Sequence, residues 1–400
     1  MVGGAILCQF VFLSVSQASV GVLLLPACTD LGWPAWQFTL GPSLSVASGI
    51  LSGAYVGKYI DRHGPRLPML LGAVVSGVCL YGIATQSSVW AFWGLYLVCG
   101  LAGWNFFGPQ IVNPVLTKWF VAKRGWALAV GSIGISFAGM VTPVVMTPLV
   151  DTFGWRAGFM ALSAFAFLVV PVSFLMRRTP EDHGWAPDGH STSLSRPHET
   201  EQSLTRAEAV RTVSFWLLVI GFGLNTMAMI TILVHAIPFV TDAGFSRTAA
   251  ALAVSFTGIG NLSSKAVWGR ALQQIRPKTL VLTAYTSSIV GLICMLYAAS
   301  TGTQIFLTIG FFLYGFGFGG TIPLSESLWT SYYGRTHIGA IRGLSYPISS
   351  IGSSIGPVLV GFWFDYSQSY TSAFVALGIA YAGAGLFVGL SKSPERKVLE

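Results

Sequence analysis

Long apolar segments recur along the whole of this 400-residue chain, which is 53% hydrophobic and only 9% charged. An ordinary soluble domain carries roughly 25% charged residues. A hydrocarbon core of about 30 Å is crossed by roughly 20 residues of helix, and backbone groups inside lipid must pair within their own segment. The sequence therefore predicts an all-α integral membrane protein with twelve transmembrane helices. The predicted spans are 3–27, 37–59, 66–85, 89–116, 125–149, 156–176, 212–240, 248–270, 279–299, 304–331, 343–364 and 371–390.

The net charge of +8 is spread over short loops that alternate between two sides of the membrane. This dispersion argues against a nucleic-acid partner. One side holds only Arg156 and Arg247, whereas the other side carries many more lysines and arginines. The positive-inside rule therefore makes this cation-rich side cytoplasmic. We expect a multi-pass protein of the cell (inner) membrane with both termini in the cytoplasm. The rich side carries Lys58, Arg62, Arg66, Lys118, Lys123, Arg124, Arg177, Arg178, Arg270, Arg276, Lys278, Arg335 and Arg342.

A polar segment at 177–211, rich in Pro, Ser, Thr, His and mixed charge, divides the predicted spans six and six. It predicts an N-terminal six-helix bundle (1–176), a cytoplasmic linker (177–211) and a C-terminal six-helix bundle with a short cytoplasmic tail (212–400). The halves echo each other, which indicates two pseudo-symmetric bundles with a substrate site expected at their interface. Gly57, Pro65 and Arg66 recur 212 positions later as Gly269, Pro277 and Lys278, and Pro143 and Asp151 recur 214 positions later as Pro357 and Asp365.

The loop between spans two and three reads Gly57-Lys-Tyr-Ile-Asp61-Arg62-His-Gly64-Pro65-Arg66. Gly57 permits close helix approach, Gly64 and Pro65 make the turn, and the cations set topology. The loop resembles the G-x-x-x-D-R-x-G-x-R signature of the major facilitator superfamily. The resemblance implies a conformational-switch motif made of Gly57, Asp61, Arg62, Gly64 and Arg66, with Asp61 facing the helix N-terminus near Gly343. The alternative is a basic loop with an incidental Asp61.

A second resemblance covers most of the chain. The segments Trp119-Phe120-x-x-Lys123-Arg124-Gly125, Pro180-Glu-Asp-x-Gly184-x-x-Pro187-Asp188-Gly189, Phe215-Trp216 and Gly356-Pro357 are similar to the monocarboxylate transporter family, whose bacterial members include oxalate/formate exchangers. The family's acidic-glycine-aromatic motif before span one is missing, and Ala129 replaces an expected glycine. The resemblance implies a carrier of small organic anions.

Lys265 is a cation inside span eight, and Asn261 lies one helical turn before it on the same face. In the monocarboxylate transporter pattern, the residue at this position is usually an arginine that binds the substrate carboxylate. A lysine in a low-dielectric cavity can release its proton from the empty site and retain it beside an anion. The resemblance therefore makes Lys265 a substrate-binding and proton-coupling candidate. The alternative is a lysine that snorkels toward the cytoplasmic face.

Other polar residues lie inside the spans. Gln17, Asn105 and Asn225 belong to spans that line the central cavity in this superfamily, although each could equally tie two helices together. Tyr346, at the start of span eleven, is a further substrate-binding candidate. Glu326 in span ten is interpreted as a structural partner of Arg335 or Arg342, with proton carrier as the alternative. His235 could sense pH or hydrogen-bond its neighbours.

These patterns predict a secondary active transporter that moves a small organic anion, most specifically a monocarboxylate, by alternating access with proton symport. A proton-independent anion exchanger and an efflux carrier for apolar compounds are the alternatives. The sequence shows no paired nucleophile and base that would favour an enzyme, the six histidines form no metal-binding spacing, and no cofactor is expected. The expected partners are a small organic anion, protons as the coupling ion and the lipid bilayer, with no nucleic acid. We expect the protein to be a monomer.

Overall fold

The computed structural model describes residues 1–120, 124–185, 204–334 and 337–394, without the side chains at positions 53–55, 57, 58, 61, 124, 125 and 183. Over these ranges the protein is helical and contains no strand. The helices are α1 (Val2–Leu13), α2 (Val20–Leu31), α3 (Ala35–His63), α4 (Arg66–Thr85), α5 (Val89–Ala102), α6 (Pro109–Trp119), α7 (Arg124–Gly131), α8 (Ile133–Ala166), α9 (Val169–Leu175), α10 (Arg206–Val210), α11 (Val213–Asp242), α12 (Arg247–Ala271), α13 (Pro277–Thr301), α14 (Gln304–Tyr333), α15 (Ile338–Ser367) and α16 (Thr371–Leu390).

The described residues contain nine stretches that are long and apolar enough to cross a membrane. One of them, Trp126–Leu175, is 50 residues long and is interrupted at Gly154, whose φ of +84° lies in a region that favours glycine, so it supplies two crossings. The more polar helices α3 and α12 are 29 and 25 residues long and supply two more. The predicted all-α architecture of twelve transmembrane helices is therefore confirmed.

Four predicted spans, the first, fourth, fifth and sixth, are not continuous α-helices, contrary to expectation. The fifth is interrupted at Ser132, between α7 and α8, and the sixth between Ala166 and Val169. The first contains a π-helical turn over Ser14–Ala18 between α1 and α2.

The fourth span breaks after α5, where a 3₁₀ turn over Trp104–Phe106 leads to α6. This break has a local cause, because Gly103 adopts a non-helical conformation and Pro109 starts a new helix. The apolar pattern of all four segments continues through these interruptions, so it does not predict them.

The chain divides into two compact units, each assembled from three separate stretches of sequence. The first unit comprises Met1–Leu194, Leu233–Gly258 and Pro357–Tyr370, and the second comprises Ser195–Ile232, Ile259–Gly356 and Thr371–Glu400. The unit boundaries cut through α11, α12 and α15, so these units do not test the division at 177–211. That division stays a prediction.

In the first unit, small residues let helices approach closely. A Cβ on Gly258 of α12 would lie 2.8 Å from the carbonyl carbon of Gly139 in α8, so only glycine fits there without a shift of the helices. Buried side chains then link α1 and the following π turn to other helices. Gln9 donates to Asn113 Oδ1 at 3.0 Å, and the hydroxyls of Ser14 and Thr142 lie 2.8 Å apart.

The core of the second unit is aromatic. Trp329 of α14 is fully buried, with the rings of Phe215 and Tyr333 at centroid distances of 5.7 and 5.5 Å. The Tyr314 hydroxyl donates to the carbonyl of Met229 in α11 at 2.8 Å. Because a buried hydroxyl needs a partner, this bond ties α14 to α11 within the apolar interior.

The internal repeat has a structural counterpart in the contacts of Arg66 and Lys278. Arg66 Nε donates to the carbonyl of Met176, just after α9, at 3.3 Å. Lys278 Nζ donates to the carbonyls of Gly389 and Ser391, at the end of α16, at 2.6 and 2.7 Å. Both cations therefore bind carbonyls that a helix C-terminus leaves unpaired, where positive charge is favourable.

Candidate functional site

Lys265 lies beside a tight contact between α12 and α14. Asn261, one turn earlier, is only 4% exposed, and a Cβ on Gly319 of α14 would lie 2.7 Å from its carbonyl oxygen. Further along α12, Trp268 Nε1 donates to the carbonyl of Phe316 in α14 at 2.9 Å. The Lys265 side chain itself is half-buried. The structure thus places a cation and a buried amide next to each other on one helix face, inside a membrane span.

Asn225 of α11 is 1% exposed. It lies one turn from Gly221, where a Cβ would lie 3.0 Å from Val388 Cγ2 of α16, so the two positions share the face of α11 that packs on α16. Within the described part of the chain, Asn225 Nδ2 has no hydrogen-bond acceptor. This burial favours a place inside the helix packing, while the free donor leaves one polar contact unused.

Gln17 and Asn105 both lie at helix interruptions. Gln17 is half-buried in the π turn Ser14–Ala18, a distortion that is frequent at functional sites. Asn105 lies in the 3₁₀ turn after α5, where its Nδ2 donates to the carbonyl of Gly100 at 2.8 Å and contacts Gly49 of α3. Asn105 also lines a narrow cleft with Ser52 and Gln110.

Glu326 and Tyr346 both lie against Arg342. Arg342 Nη2 is 2.7 Å from Glu326 Oε1, which confirms the expected structural pairing with one of its two named partners. The other, Arg335, lies outside the described residues. Tyr346 is 49% exposed, and the Arg342 guanidinium carbon lies 5.8 Å from the centre of its ring. Three residues from two helices therefore form one polar cluster.

The loop with the family signature is built as a tight turn. Gly64 follows the last residue of α3 with a φ of +87°, a conformation that favours glycine. Arg178 Nη1 donates to the carbonyl of Arg62 at 2.7 Å, and Nη2 of the same side chain binds Asp182 Oδ1 at 2.6 Å. The surroundings of Gly57 and the side chain of Asp61 lie outside the described part of the chain. The predicted contact between Asp61 and a helix N-terminus stays a prediction.

Both flanks of the predicted linker are anchored. At its start, Trp119 Nε1 donates to the carbonyl of Arg177 at 3.1 Å. At its end, the Leu204 N–H donates to the carbonyl of Tyr333 at 3.1 Å. Thr205 then caps α10 through a reciprocal pair of bonds with Glu208. The backbone N–H and the hydroxyl of Thr205 hold the pKa of the Glu208 carboxyl below its usual value.

Two aspartates of the first unit make contacts that sequence reasoning missed. Asp151 Oδ1 is 2.8 Å from Arg247 Nε at the start of α12. Asp365 accepts hydrogen bonds from the N–H groups of Ala35 and Trp36, at the start of α3, at 2.9 and 3.1 Å. The signal was present in the sequence, because these aspartates are one of the repeated pairs. Their partners could not be named, since they lie more than 90 positions away along the chain.

His235 is completely buried near these contacts. Its Nε2 lies 2.9 Å from the carbonyl of Pro357, and its Nδ1 lies 3.4 Å from the Tyr370 hydroxyl. The Tyr370 N–H in turn donates to Asp242 Oδ2 at 3.0 Å. Of the two expectations for His235, hydrogen bonding to neighbours is therefore what the structure contains.

The family model described as Major Facilitator Superfamily matches residues 5–357. The chain is 26% identical over 356 residues to "Uncharacterized MFS-type transporter YhjX" of Escherichia coli, which covers 88% of this chain and 84% of that protein. It is 25% identical over 387 residues to "Monocarboxylate transporter 13" of Bos taurus, covering 93% and 84%. It is 21% identical over 351 residues to "Oxalate:formate antiporter" of Oxalobacter formigenes, covering 86% and 80%.

Among solved structures, the chain is similar to a bacterial homolog of the human lysosomal transporter Spinster, crystallised in an inward-facing and unoccupied conformation. The TM-score is 0.71 at 15% sequence identity, over 98% of this chain and 96% of that one. The occupied form of the same homolog has a TM-score of 0.72 at 13% identity, over 98% and 96%. At these identities the likeness shows the fold, and the predicted major facilitator fold is confirmed.

Proposed function

The chain belongs to the Major Facilitator Superfamily, and on that premise we propose that this transporter carries a small organic anion by alternating access. The substrate in this proposal is a monocarboxylate, and a proton travels with it. Relatives over most of the chain include monocarboxylate transporters and an oxalate:formate antiporter. Their names support the carboxylate class.

The observation that carries the proposal is the half-buried Lys265 beside the buried Asn261. A cation inside a membrane span costs roughly 2.5–3.5 kcal/mol by insertion scales. A substrate carboxylate that binds the ammonium would form a charge-assisted hydrogen bond with it. Asn261 adds an amide that can donate to a second oxygen. A lysine acts as a point charge and tolerates anions of different shape, which fits a small and variable substrate.

We propose that proton coupling depends on the same residue. When the site is empty, a lysine in a low-dielectric setting is easier to deprotonate, and when an anion is bound it holds its proton. Proton and anion would then move together. Glu326 is the second coupling candidate, although its ion pair with Arg342 favours a structural role.

Gln17, Asn105, Asn225 and Tyr346 are proposed to contribute polar contacts along the transport path, and the loop from Gly57 to Arg66 to act as the conformational switch. The proposed location is the inner membrane, and the charge asymmetry between the two sides supports cytoplasmic termini. We further propose that the protein is a monomer with an N-terminal bundle (1–176), a linker (177–211) and a C-terminal bundle (212–400).

The test is uptake of radiolabelled formate, acetate or lactate into proteoliposomes. An inward proton gradient should raise the initial rate, and Lys265→Ala should reduce it to the level of empty liposomes, because the anion loses its counter-charge. Arg270→Ala is the matched control, since Arg270 is an exposed cation in the last turn of the same helix. Transport by Lys265→Ala at the wild-type rate would remove Lys265 from the site.

Two other outcomes identify the alternatives. A proton-independent exchanger would take up label only into vesicles preloaded with an anion. An efflux carrier for apolar compounds would confer resistance when overexpressed and would show no carboxylate uptake.

A further inference from the structure

We propose that Arg342 is a second anion-binding residue of the transporter and that Glu326 occupies its binding edge when no anion is present. The ligand is the carboxylate group of a small organic anion. The inference rests on the proposed function, because it assigns a further binding residue to the same substrate class. It concerns α14 and α15 of the second unit.

The bonds that Arg342 makes to described residues leave two of its N–H donors unused. Nε and Nη2 both donate to a single oxygen of Glu326, Oε1, at 3.1 and 2.7 Å, and Nη1 donates to Ser345 Oγ at 3.3 Å. Bonds to described residues therefore use three of the five N–H donors of the guanidinium. A carboxylate prefers to meet an arginine with two parallel bonds, one to each oxygen. Glu326 does not achieve this geometry, so an incoming carboxylate can form the better pair.

The two partners differ in how firmly they are held. The Arg342 side chain is 17% exposed, whereas the Glu326 side chain is 49% exposed. The guanidinium carbon lies 5.4 Å from the ring centre of the buried Trp329 and 5.8 Å from that of Tyr346. Aromatic faces hold a planar guanidinium in place. The cation is thus a fixed group, and the carboxylate that faces it is the replaceable one, because exposed ion pairs are weak.

The position of the pair supports access from water. Arg342 is the fifth residue of α15, about 6 Å from its N-terminus at 1.5 Å per residue. Glu326 is seven residues before the end of α14, about 10 Å from that end. Because charge in lipid is costly, a carboxylate that is half-exposed this close to a helix end is expected to face water. The nearby N-terminus of α15 adds a favourable potential for a bound anion.

The experiment measures the KM for the same labelled monocarboxylate in liposomes of phosphatidylcholine alone. Glu326→Gln removes the competing charge and should lower KM about two- to fivefold, the range that an exposed ion pair corresponds to. Arg342→Gln should raise KM at least about tenfold, because charge-assisted hydrogen bonds to the substrate are lost. Arg342→Lys keeps the charge without the planar fork and should lie between.

The double variant Glu326→Gln/Arg342→Gln separates binding from stability. If Arg342 binds the anion, the double variant stays as weak as Arg342→Gln. If the pair is only structural, removing both charges restores the wild-type KM, which would overturn the inference. An unchanged KM in Glu326→Gln would also overturn it. Arg156→Gln, which removes an exposed ion pair with Asp30, is the matched control and should leave KM unchanged.

Two further outcomes identify what has failed. If wild-type protein takes up no carboxylate, the proposed function fails. If uptake depends on Lys265 but not on Arg342, only this inference fails. An effect of Arg342→Gln that appears only after anionic lipid is added would assign the residue to a lipid headgroup and overturn the proposal.

Discussion

Asp151 and Asp365 are equivalent acids of the internal repeat, and the helix starts they contact are equivalent too. Asp151 contacts Arg247, the first residue of α12, and Asp365 contacts Ala35, the first residue of α3. Ala35 and Arg247 are 212 positions apart, which is the offset of the repeat. The chemistry differs. Asp151 pairs with an arginine side chain, whereas Asp365 accepts two backbone N–H groups, those of Ala35 and Trp36.

The difference shows which part of the contact the repeat retains. Every helix N-terminus has backbone N–H groups without internal partners and a partial positive charge, so it can receive a carboxylate whatever its side chains are. An arginine adds a stronger charge but must be ordered to use it, and this pair is partly exposed, at 25% for Arg247 and 41% for Asp151. We therefore expect the backbone contact to stabilise the first unit more than the side-chain contact.

The largest effect is expected for Asp365→Ala. It leaves the N–H groups of Ala35 and Trp36 without their acceptor, and the free energy of unfolding should fall by about 1–2 kcal/mol, as for the loss of a helix cap. Asp365→Asn keeps one acceptor oxygen and should lose less. Thermal unfolding in detergent measures both. An unchanged transition temperature in Asp365→Ala would show that the contact contributes nothing to stability.

A smaller effect is expected for Ala35→Pro, which deletes a single donor. Proline fits the first position of a helix, and Pro34 already has the extended conformation, with φ of −65° and ψ of 153°, that a following proline requires. Stability should fall by about 0.5–1.5 kcal/mol, the value of one hydrogen bond. In the Asp365→Ala background the same substitution should change nothing. An additive loss in that background would mean that the proline acts through strain instead.

The smallest effect is expected for Arg247→Gln, at about 0.2–1 kcal/mol, because a partly exposed ion pair contributes little. Its bond to the carbonyl of Val22 is also lost, so the pair itself is isolated by a double-mutant cycle with Asp151→Asn. A positive coupling that declines in high salt is expected. A coupling larger than the whole effect of Asp365→Ala would reverse the comparison between the two acids.

Sequence reasoning succeeded where one local property decides the outcome. Length and apolarity placed twelve crossings, Gly64 fixed the turn after α3, and the repeat linked Arg66 to Lys278 before their shared role at helix ends was known. It failed at the breaks near Ser14 and Asn105, because a π turn and a 3₁₀ turn change the hydrogen bonding of a helix without changing its composition. It also could not choose between cavity and packing for Asn225, since both environments accept an asparagine.

The sequence by itself determined that this protein is a twelve-helix membrane carrier, because lipid permits only internally paired backbone and the loop charges and signature need no distant partner. Only the tertiary structure decided which residues meet. The partners of Asp365, Glu326 and His235 lie far along the chain or on other helices, and periodicity says which face a residue occupies but not which helix packs there. The pairing of Arg342 with Glu326, and the guanidinium donors that this pairing leaves unused, belong to what only the tertiary structure decided.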